Sequence, residues 1–258
     1  MGNEWFRRFG HPTGPARSES RAPRLFCFPH AGGAASTFLQ LARALTPDFD
    51  VLAAQYPGRQ DRRREQPLTD IVRLAEALAD HVPDGDERPF AFFGHSMGAV
   101  LAYEVTRVLQ ERRMPGPAAL VLSGRRAPTP RTSPHDRLST DADILRAVRQ
   151  LGGTTPQLLD DPELRDMVMP ALRADYRAIG SYTWQPGPPL SIPLTVLVGD
   201  RDPVASVAEA RAWENLTTAP ARTYVFDGGH FFLDANLPRV AETVNDALGH
   251  LTAVPATR

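Results

Sequence analysis

The sequence predicts an α/β fold with a mostly parallel central sheet that carries helices on both faces. Short apolar runs alternate with segments of helical periodicity along most of the chain, and this alternation is typical of consecutive βα units. A length of 258 residues allows one hydrophobic core with a small appendage. The composition, with 42% hydrophobic and 23% charged residues, is that of an ordinary globular protein.

Apolar runs bounded by turn residues are expected to form the strands, and segments with apolar residues on one helical face are expected to form the helices. The predicted strands are Arg24–Phe28, Asp50–Gln55, Phe90–Gly94, Ala118–Ser123, Leu194–Gly199 and Arg222–Phe226. The predicted helices of the same core are Phe38–Leu45, Leu68–Val82, Ala99–Arg112 and Pro238–Leu251.

The alternation breaks between residues 125 and 189. This segment has no convincing strand, its ends are rich in proline, and Asp141–Leu151 and Asp161–Tyr182 have helical patterns. Because the segment follows a strand whose carboxyl end faces the catalytic side of such sheets, we expect 125–189 to be a helical lid inserted over the active site. A helical excursion that fills one edge of the fold is the alternative. The core would then comprise residues 23–124 and 190–258.

Charge, cysteine content and motifs exclude several classes of function. The net charge of −1 gives no overall attraction to nucleic acid or membranes. Residues 1–22 are expected to be a flexible polar leader without an apolar signal region. The single cysteine, Cys27, lies in an apolar run and can form no intrachain disulfide. No metal or nucleotide motif occurs, so we expect no cofactor. The single cysteine fits a reducing cytoplasm, and we expect a cytoplasmic monomer.

The pentapeptide Gly94-His95-Ser96-Met97-Gly98 matches the pattern G-x-S-x-G. An apolar strand enters it and a helix leaves it, which is the context of a nucleophile elbow. Glycines are needed there because side chains would collide with the neighbouring strand and helix. The alternative is a serine that caps the helix of an ordinary βα turn. The sequence therefore predicts that Ser96 is the nucleophile of a serine hydrolase with the α/β-hydrolase fold.

A serine nucleophile needs a base and an acid. In this architecture the acid follows the serine along the chain, and the histidine that acts as the base follows the acid. His230 lies in a glycine-rich loop between a predicted strand and the last helix, so it is the candidate base. Asp200 and Asp202 both follow the strand Leu194–Gly199. We favour Asp202, because the acid usually lies some residues beyond the strand end, and Asp200 would then brace the turn.

The oxyanion hole of such an enzyme requires two backbone N–H groups. One is expected from Met97, the residue after the nucleophile. The other is expected from Ala31, in the glycine-rich loop that follows the first predicted strand. A plain βα turn remains the alternative for this loop, because backbone donors leave no side-chain signature.

Together with this arrangement, four segments make the chain resemble the type II thioesterases of polyketide synthase and nonribosomal peptide synthetase systems. The resemblance extends from Arg24 to Leu251. The segments are Phe28-Pro29-His30-Ala31-Gly32-Gly33, Tyr56-Pro57-Gly58-Arg59-Gln60-Asp61-Arg62, Gly94-His95-Ser96-Met97-Gly98-Ala99 and Leu172-Arg173-Ala174-Asp175-Tyr176. Gln60 departs from the pattern, because that position is often glycine in the family.

The resemblance implies hydrolysis of acyl thioesters on the phosphopantetheine arm of carrier proteins, which removes stalled or aberrant acyl groups. It also implies an acid at the position of Asp202 and no cofactor apart from the phosphopantetheine that the substrate carries. A discrete chain-releasing thioesterase and a general carboxylesterase are the alternatives. A protein that only binds acyl carriers is disfavoured by the complete set of Ser96, Asp202 and His230.

Two further groups of residues are candidates for substrate contacts. A basic cluster could guide an acidic carrier domain to the catalytic end, although a solvated charged loop is an equal alternative; it consists of Arg59, Arg62, Arg63 and Arg64. Packing of apolar lid residues around the acyl chain would set the chain-length preference. The expected lining residues of this channel are Met167, Met169, Leu172 and Tyr176.

Overall fold

The computed structural model describes residues 4–9, 22–82, 88–130, 133, 135–152 and 160–252. The strands in these ranges are β1 (Phe6–Phe9), β2 (Arg24–Phe28), β3 (Asp50–Ala54), β4 (Phe90–His95), β5 (Leu120–Ser123), β6 (Leu194–Gly199) and β7 (Ala221–Phe226). They form one seven-stranded sheet in the order β1-β3-β2-β4-β5-β6-β7. All neighbouring pairs are parallel except β1 and β3. The predicted α/β fold is thereby confirmed.

In the described residues, helices lie between the successive parallel strands, as the βα pattern predicts, and two more follow the last strand. They are α1 (Leu39–Leu45), α2 (Ile71–Ala79), α3 (Met97–Glu111), α4 (Asp141–Leu151), α5 (Pro162–Ser181), α6 (Val207–Arg211), α7 (Phe232–Ala235) and α8 (Leu237–Thr252). The short helices α6 and α7 were not predicted, because each is shorter than two helical turns and too short to show a periodic pattern.

The prediction of a flexible leader over residues 1–22 is wrong for its described part. Phe6–Phe9 forms β1, which pairs antiparallel with β3 at one edge of the sheet. Trp5 and Phe6 are buried, and the ring of Phe6 lies 5.0 Å from that of Phe26. These aromatic side chains hold the segment because their burial offsets the entropy lost on ordering it. Residues 1–3 and 10–21 lie outside the described residues.

The core consists of two apolar layers, one on each face of the sheet. Successive side chains of a strand point to opposite faces, and β2 shows this directly. Phe26 and Phe28 pack with α2 and α3, whereas Leu25 and Cys27 pack with α1 and α8. Burial raises the pKa of the Cys27 thiol, so the cysteine behaves as a small apolar side chain, as expected.

The described residues between β5 and β6 include two helices, α4 and α5, which contact each other. An exposed ion pair joins the two helices, since Arg173 donates to the carboxylate of Asp141 at 2.5 and 2.6 Å. Tyr182, just after α5, donates a 2.5 Å hydrogen bond to Glu104 of α3. The helical content agrees with expectation, while the function of 125–189 as a lid stays a prediction.

None of the helices in the described ranges combines the length and the apolar composition required to cross a bilayer. The same ranges contain no group of three or more His, Cys, Asp or Glu side chains that could hold a metal ion.

Candidate active site

The turn between β4 and α3 holds Ser96 in a conformation that few side chains adopt. Its φ is 57° and its ψ is −116°, and such backbone strain is concentrated at functional sites. A Cβ on Gly94 would lie 2.1 Å from the carbonyl oxygen of Gly98, and a Cβ on Gly98 would lie 1.8 Å from that of Phe28. Only glycine therefore allows the strand, the turn and the helix to approach this closely.

Ser96, His230 and Asp202 form one chain of hydrogen bonds. The Oγ of Ser96 lies 2.9 Å from the Nε2 of His230. The Nδ1 of the same ring lies 2.9 Å from the Oδ2 of Asp202. His230 is 1% exposed and Asp202 8% exposed, so water is largely excluded from the two inner members. The residues come from the ends of β4, β6 and β7, at the carboxyl edge of the sheet.

The two aspartates after β6 have different partners. Asp202 contacts His230, and its Oδ1 also accepts a hydrogen bond from the Val204 N–H at 2.9 Å. Asp200 accepts a 2.8 Å hydrogen bond from the Gly228 N–H, so it braces the loop that carries the histidine. The structure thus places Asp202 beside the imidazole and Asp200 at the turn, in the arrangement that the sequence favoured.

Two other histidines lie close to the His230 ring, and both are held neutral near pH 7. Burial lowers the pKa of His95 well below its usual value, and the nearby His230 and His30 lower it further. Desolvation lowers the pKa of His30 to about 4, against a smaller opposing contribution from its hydrogen bond to the Ala31 carbonyl. The Nδ1 of His95 lies 3.0 Å from the Oγ of Ser123, which points to a supporting role under the turn.

The two expected oxyanion-hole residues lie beside the nucleophile. Met97 opens α3, so its N–H is one of those that a helix leaves without an intrahelical partner. Ala31, Ser96 and Met97 line the same cavity of about 260 Å³. The loop containing Ala31 is closed by a 2.9 Å hydrogen bond from the Gly33 N–H to the His30 carbonyl.

A second and larger cavity, of about 440 Å³, also reaches Ser96 and His230. Leu172 and Tyr176 line it, and so does Met167, which is 60% exposed. The prediction for Met169 is wrong, because this residue is not in the lining and is 3% exposed within the core. Each residue turns an α-helix by about 100°, which carries Met169 beyond the arc of α5 that faces the cavity.

Two of the arginines predicted to form a docking cluster are buried, which corrects that prediction for Arg59 and Arg62. Arg62 donates to Glu65 at 2.5 Å and to the Gln55 carbonyl at 2.8 Å. Arg59 is the N-cap of the short 3₁₀ segment Gln60–Arg62, Arg62 is its last residue, and both side chains are buried. Arg63 and Arg64 are exposed, so the surface part of the cluster contains these two residues.

The partner of Arg59 is Asp175, to which sequence reasoning assigned no role. The guanidinium binds both carboxylate oxygens at 2.8 Å, and Asp175 is 1% exposed. The available signal was the position of Asp175 on the same helical face as Leu172 and Ile179, because a fully buried charge requires a partner.

Comparison with known proteins identifies the family. Residues 23–248 match the family model described as "Thioesterase domain". The chain is 43% identical to the "Probable cadicidin biosynthesis thioesterase" of Streptomyces griseus, over 98% of this chain and 68% of that protein. It is 41% identical to "Thioesterase PikA5" of Streptomyces venezuelae, over 98% and 89% of the two chains.

A solved structure is similar to this chain in both fold and sequence. The "type II thioesterase BorB from the borrelidin biosynthetic cluster" superimposes with a TM-score of 0.82 and is 42% identical, over 95% of this chain and 98% of its own. The resemblance seen in the four sequence segments and the α/β-hydrolase fold are both confirmed. The chain belongs to the thioesterase family and is a serine-type thioester hydrolase similar to the type II thioesterases of polyketide and nonribosomal peptide biosynthesis.

Proposed function

We propose that this enzyme hydrolyses stalled or aberrant acyl groups from the phosphopantetheine arm of carrier proteins in a polyketide or nonribosomal peptide assembly line. The observation that carries the proposal is the chain of 2.9 Å hydrogen bonds from Ser96 through His230 to Asp202, placed at two cavities. The assignment of the carrier-bound substrate rests on solved relatives that are named as type II thioesterases, one from the borrelidin biosynthetic cluster and one from the Yersiniabactin NRPS/PKS biosynthetic pathway.

In this mechanism, Ser96 attacks the thioester carbonyl while the Nε2 of His230 takes the hydroxyl proton. Asp202 holds the imidazole in the tautomer that accepts this proton and stabilises the resulting imidazolium. The tetrahedral intermediate collapses to an acyl-serine, and the thiol of phosphopantetheine leaves with a proton. Water, activated by the same histidine, then releases the free acid and restores Ser96.

The negative oxygen of the tetrahedral intermediate would be stabilised by the N–H groups of Ala31 and Met97. Loss of one such donor typically costs about 3–4 kcal/mol of transition-state stabilisation. Ser96 also lies at the N-terminus of α3, where the helix dipole favours negative charge.

The larger cavity suits the acyl chain, because apolar side chains of α5 and α8 contribute to its lining. Arg63 and Arg64 lie on the surface beside this cavity, and Arg63 is part of its lining. We propose that these two residues guide the acidic surface of a carrier domain, since complementary charge increases the rate of association.

The direct test is an assay of purified enzyme against a panel of acylated carrier proteins, from acetyl to long acyl groups. Editing predicts broad hydrolysis of short, non-extendable acyl groups. Selective hydrolysis of one long, mature chain would instead support the alternative of a chain-releasing thioesterase.

A further inference from the structure

A buried ion pair joins α5 of the lid segment to the loop that we assign to the oxyanion hole. The guanidinium of Arg59 donates to both carboxylate oxygens of Asp175, and each contact is 2.8 Å long. Arg59 is 7% exposed and Asp175 1% exposed. Paired contacts of this type fix the relative orientation of the two planar groups as well as their separation.

Both members of the pair also bind the backbone of the loop. The Oδ2 of Asp175 accepts a hydrogen bond from the Gly32 N–H at 2.7 Å. The Nη1 of Arg59 donates to the Gly33 carbonyl at 2.9 Å. The loop is therefore held by a carboxylate on one peptide group and by a guanidinium on another.

The contact with Asp175 acts directly next to the proposed oxyanion donor. The Gly32 N–H and the Ala31 carbonyl belong to one planar peptide group. Asp175 binds the N–H of this group, and the Nδ1 of His30 lies 2.9 Å from its carbonyl oxygen. Because both ends of the group are held, the backbone on the carboxyl side of Ala31 has a fixed orientation.

The lid helix also touches the loop through apolar atoms. Gly32 has a φ of +75°, and a Cβ at this position would lie 2.4 Å from the Cδ2 of Leu172. Leu172 lies one helical turn before Asp175 on α5, so the two residues contact the loop from the same part of the helix. A shift of α5 would be transmitted directly to the loop.

Stability alone gives little reason to bury this pair. Removing two charges from water carries a large desolvation penalty, and apolar residues of similar volume often serve the fold equally well. The position of the pair also matters electrostatically, because an unpaired Asp175 carboxylate would oppose the negative charge that develops on the substrate oxygen. Arg59 neutralises that carboxylate while leaving it free to accept the Gly32 N–H.

We propose that Asp175 and Arg59 are positioning residues that set the geometry of the oxyanion hole and complete it only while α5 is docked on the loop. The proposal rests on the function proposed above. It predicts that loss of either residue weakens the stabilisation of the transition state and leaves the affinity for the ground-state substrate unchanged.

The test is the variant Asp175→Asn, which keeps the size of the side chain but removes its charge and one acceptor oxygen. With an acyl-carrier substrate, kcat should fall about 10- to 100-fold, which is less than the roughly 10²- to 10³-fold typical for deletion of an oxyanion donor. KM should change by less than about twofold, as expected for an interaction realised in the transition state. A trifluoromethyl ketone analogue, which forms a tetrahedral adduct, should lose affinity by the same factor as kcat/KM. An uncleavable amide analogue should bind unchanged.

Asp141→Asn is the matched control, since it removes an exposed ion pair of α5, the one between Arg173 and Asp141 of α4. This variant should retain the wild-type kcat. If Asp175→Asn does not fold, the same measurements on Arg59→Lys decide the question, because lysine keeps the charge but lacks the planar fork.

Unchanged kcat in a folded variant, or equal losses in the affinities for the amide and for the ketone, would overturn the proposal. Persistent hydrolysis by Ser96→Ala would instead overturn the proposed function itself.

Discussion

At the scale of single residues, acyl transfer at Ser96 depends on where protons reside around this side chain. Three histidines lie close together, with the rings of His95 and His230 5.1 Å apart and those of His30 and His95 6.1 Å apart. Of these rings, His230 is the one bonded to the Asp202 carboxylate. We therefore expect the charge that develops during acyl transfer to reside on His230, while the neighbouring His30 and His95 stay neutral.

The replacement of His230 by Gln should lower kcat by about 10⁴-fold or more, because it removes the base of a triad whose members act as a unit. Binding of the amide analogue should be retained. Steady-state hydrolysis of an acyl-carrier substrate measures the loss. Activity within tenfold of the wild type would contradict the assignment of His230 as the base.

The low pKa of His30 predicts an acid-sensitive fold. A histidine with a folded-state pKa of about 4 takes up its proton only below that pH, whereas the unfolded chain takes it up near pH 6.5. The free energy of unfolding should therefore fall as the pH decreases from about 6.5 to 4, by at most about 1.4 kcal/mol per pH unit for this one group. Urea unfolding at several pH values measures this slope.

The matched variant for the pH experiment is His30→Asn, which cannot take up the proton. For this variant, the free energy of unfolding should change less steeply with pH between pH 4 and 6.5 than for the wild type, whatever the variant's absolute stability. Identical slopes for the two proteins would show that His30 is not buried in its neutral form.

At the scale of elements, the junction of β2, β4 and α3 places the nucleophile. The Gly98→Ala variant should fail to fold or lose several kcal/mol of stability, because its Cβ would lie 1.8 Å from the Phe28 carbonyl oxygen. Gly249→Ala is the control, since nothing lies within 4 Å of a Cβ there, and alanine in a helix stabilises by about 0.5–1 kcal/mol relative to glycine. Thermal unfolding compares the two variants, and equal melting temperatures would contradict this view of the turn.

The sequence predicted the central elements well, because they have long apolar patterns. The bounds predicted for β2, β6 and α4 coincide with those observed. The strand β1 escaped prediction, because only its contacts with β3 and the core show that Trp5 and Phe6 are buried. Such tertiary contacts between distant segments leave no local pattern.

The residues of the site also differ in whether a local sequence pattern or only a tertiary contact reveals them. Ser96, Asp202 and His230 follow strand ends in a fixed order, so they could be found from the sequence. The burial of Arg59 could not be found in this way, because its partner Asp175 lies 116 positions further along the chain. A cluster of arginines in a sequence indicates charge, but the structure decides which of them reaches solvent.

At the scale of the whole molecule, the active site lies at the carboxyl edge of the sheet, and the exposed Arg63 and Arg64 lie beside its larger cavity. The double variant Arg63→Glu/Arg64→Glu should raise KM for an acyl-carrier protein at low salt about tenfold or more, since like charge disfavours association with an acidic partner. Because Arg63 also lines the cavity, the single variant Arg64→Glu, at a residue outside that lining, should leave the turnover of the small thioester acyl-N-acetylcysteamine unchanged. Steady-state kinetics at two ionic strengths measures both effects.

Arg222→Glu is the control for this experiment. Arg222 is exposed on β7, at the opposite edge of the sheet from β1. The KM of the Arg222→Glu variant for the carrier should therefore match that of the wild type. A double variant with unchanged KM for the carrier would contradict the docking assignment while leaving the chemistry at Ser96 intact.

We propose that the acyl group reaching Ser96 is a thioester on a carrier protein. The most direct measurement is the ratio of kcat/KM for an acyl-carrier thioester to kcat/KM for the oxygen ester of the same acyl group. We expect this ratio to exceed unity by at least about tenfold, which is about 1.4 kcal/mol of transition-state discrimination. A ratio of one or less would contradict the account and would identify a general carboxylesterase.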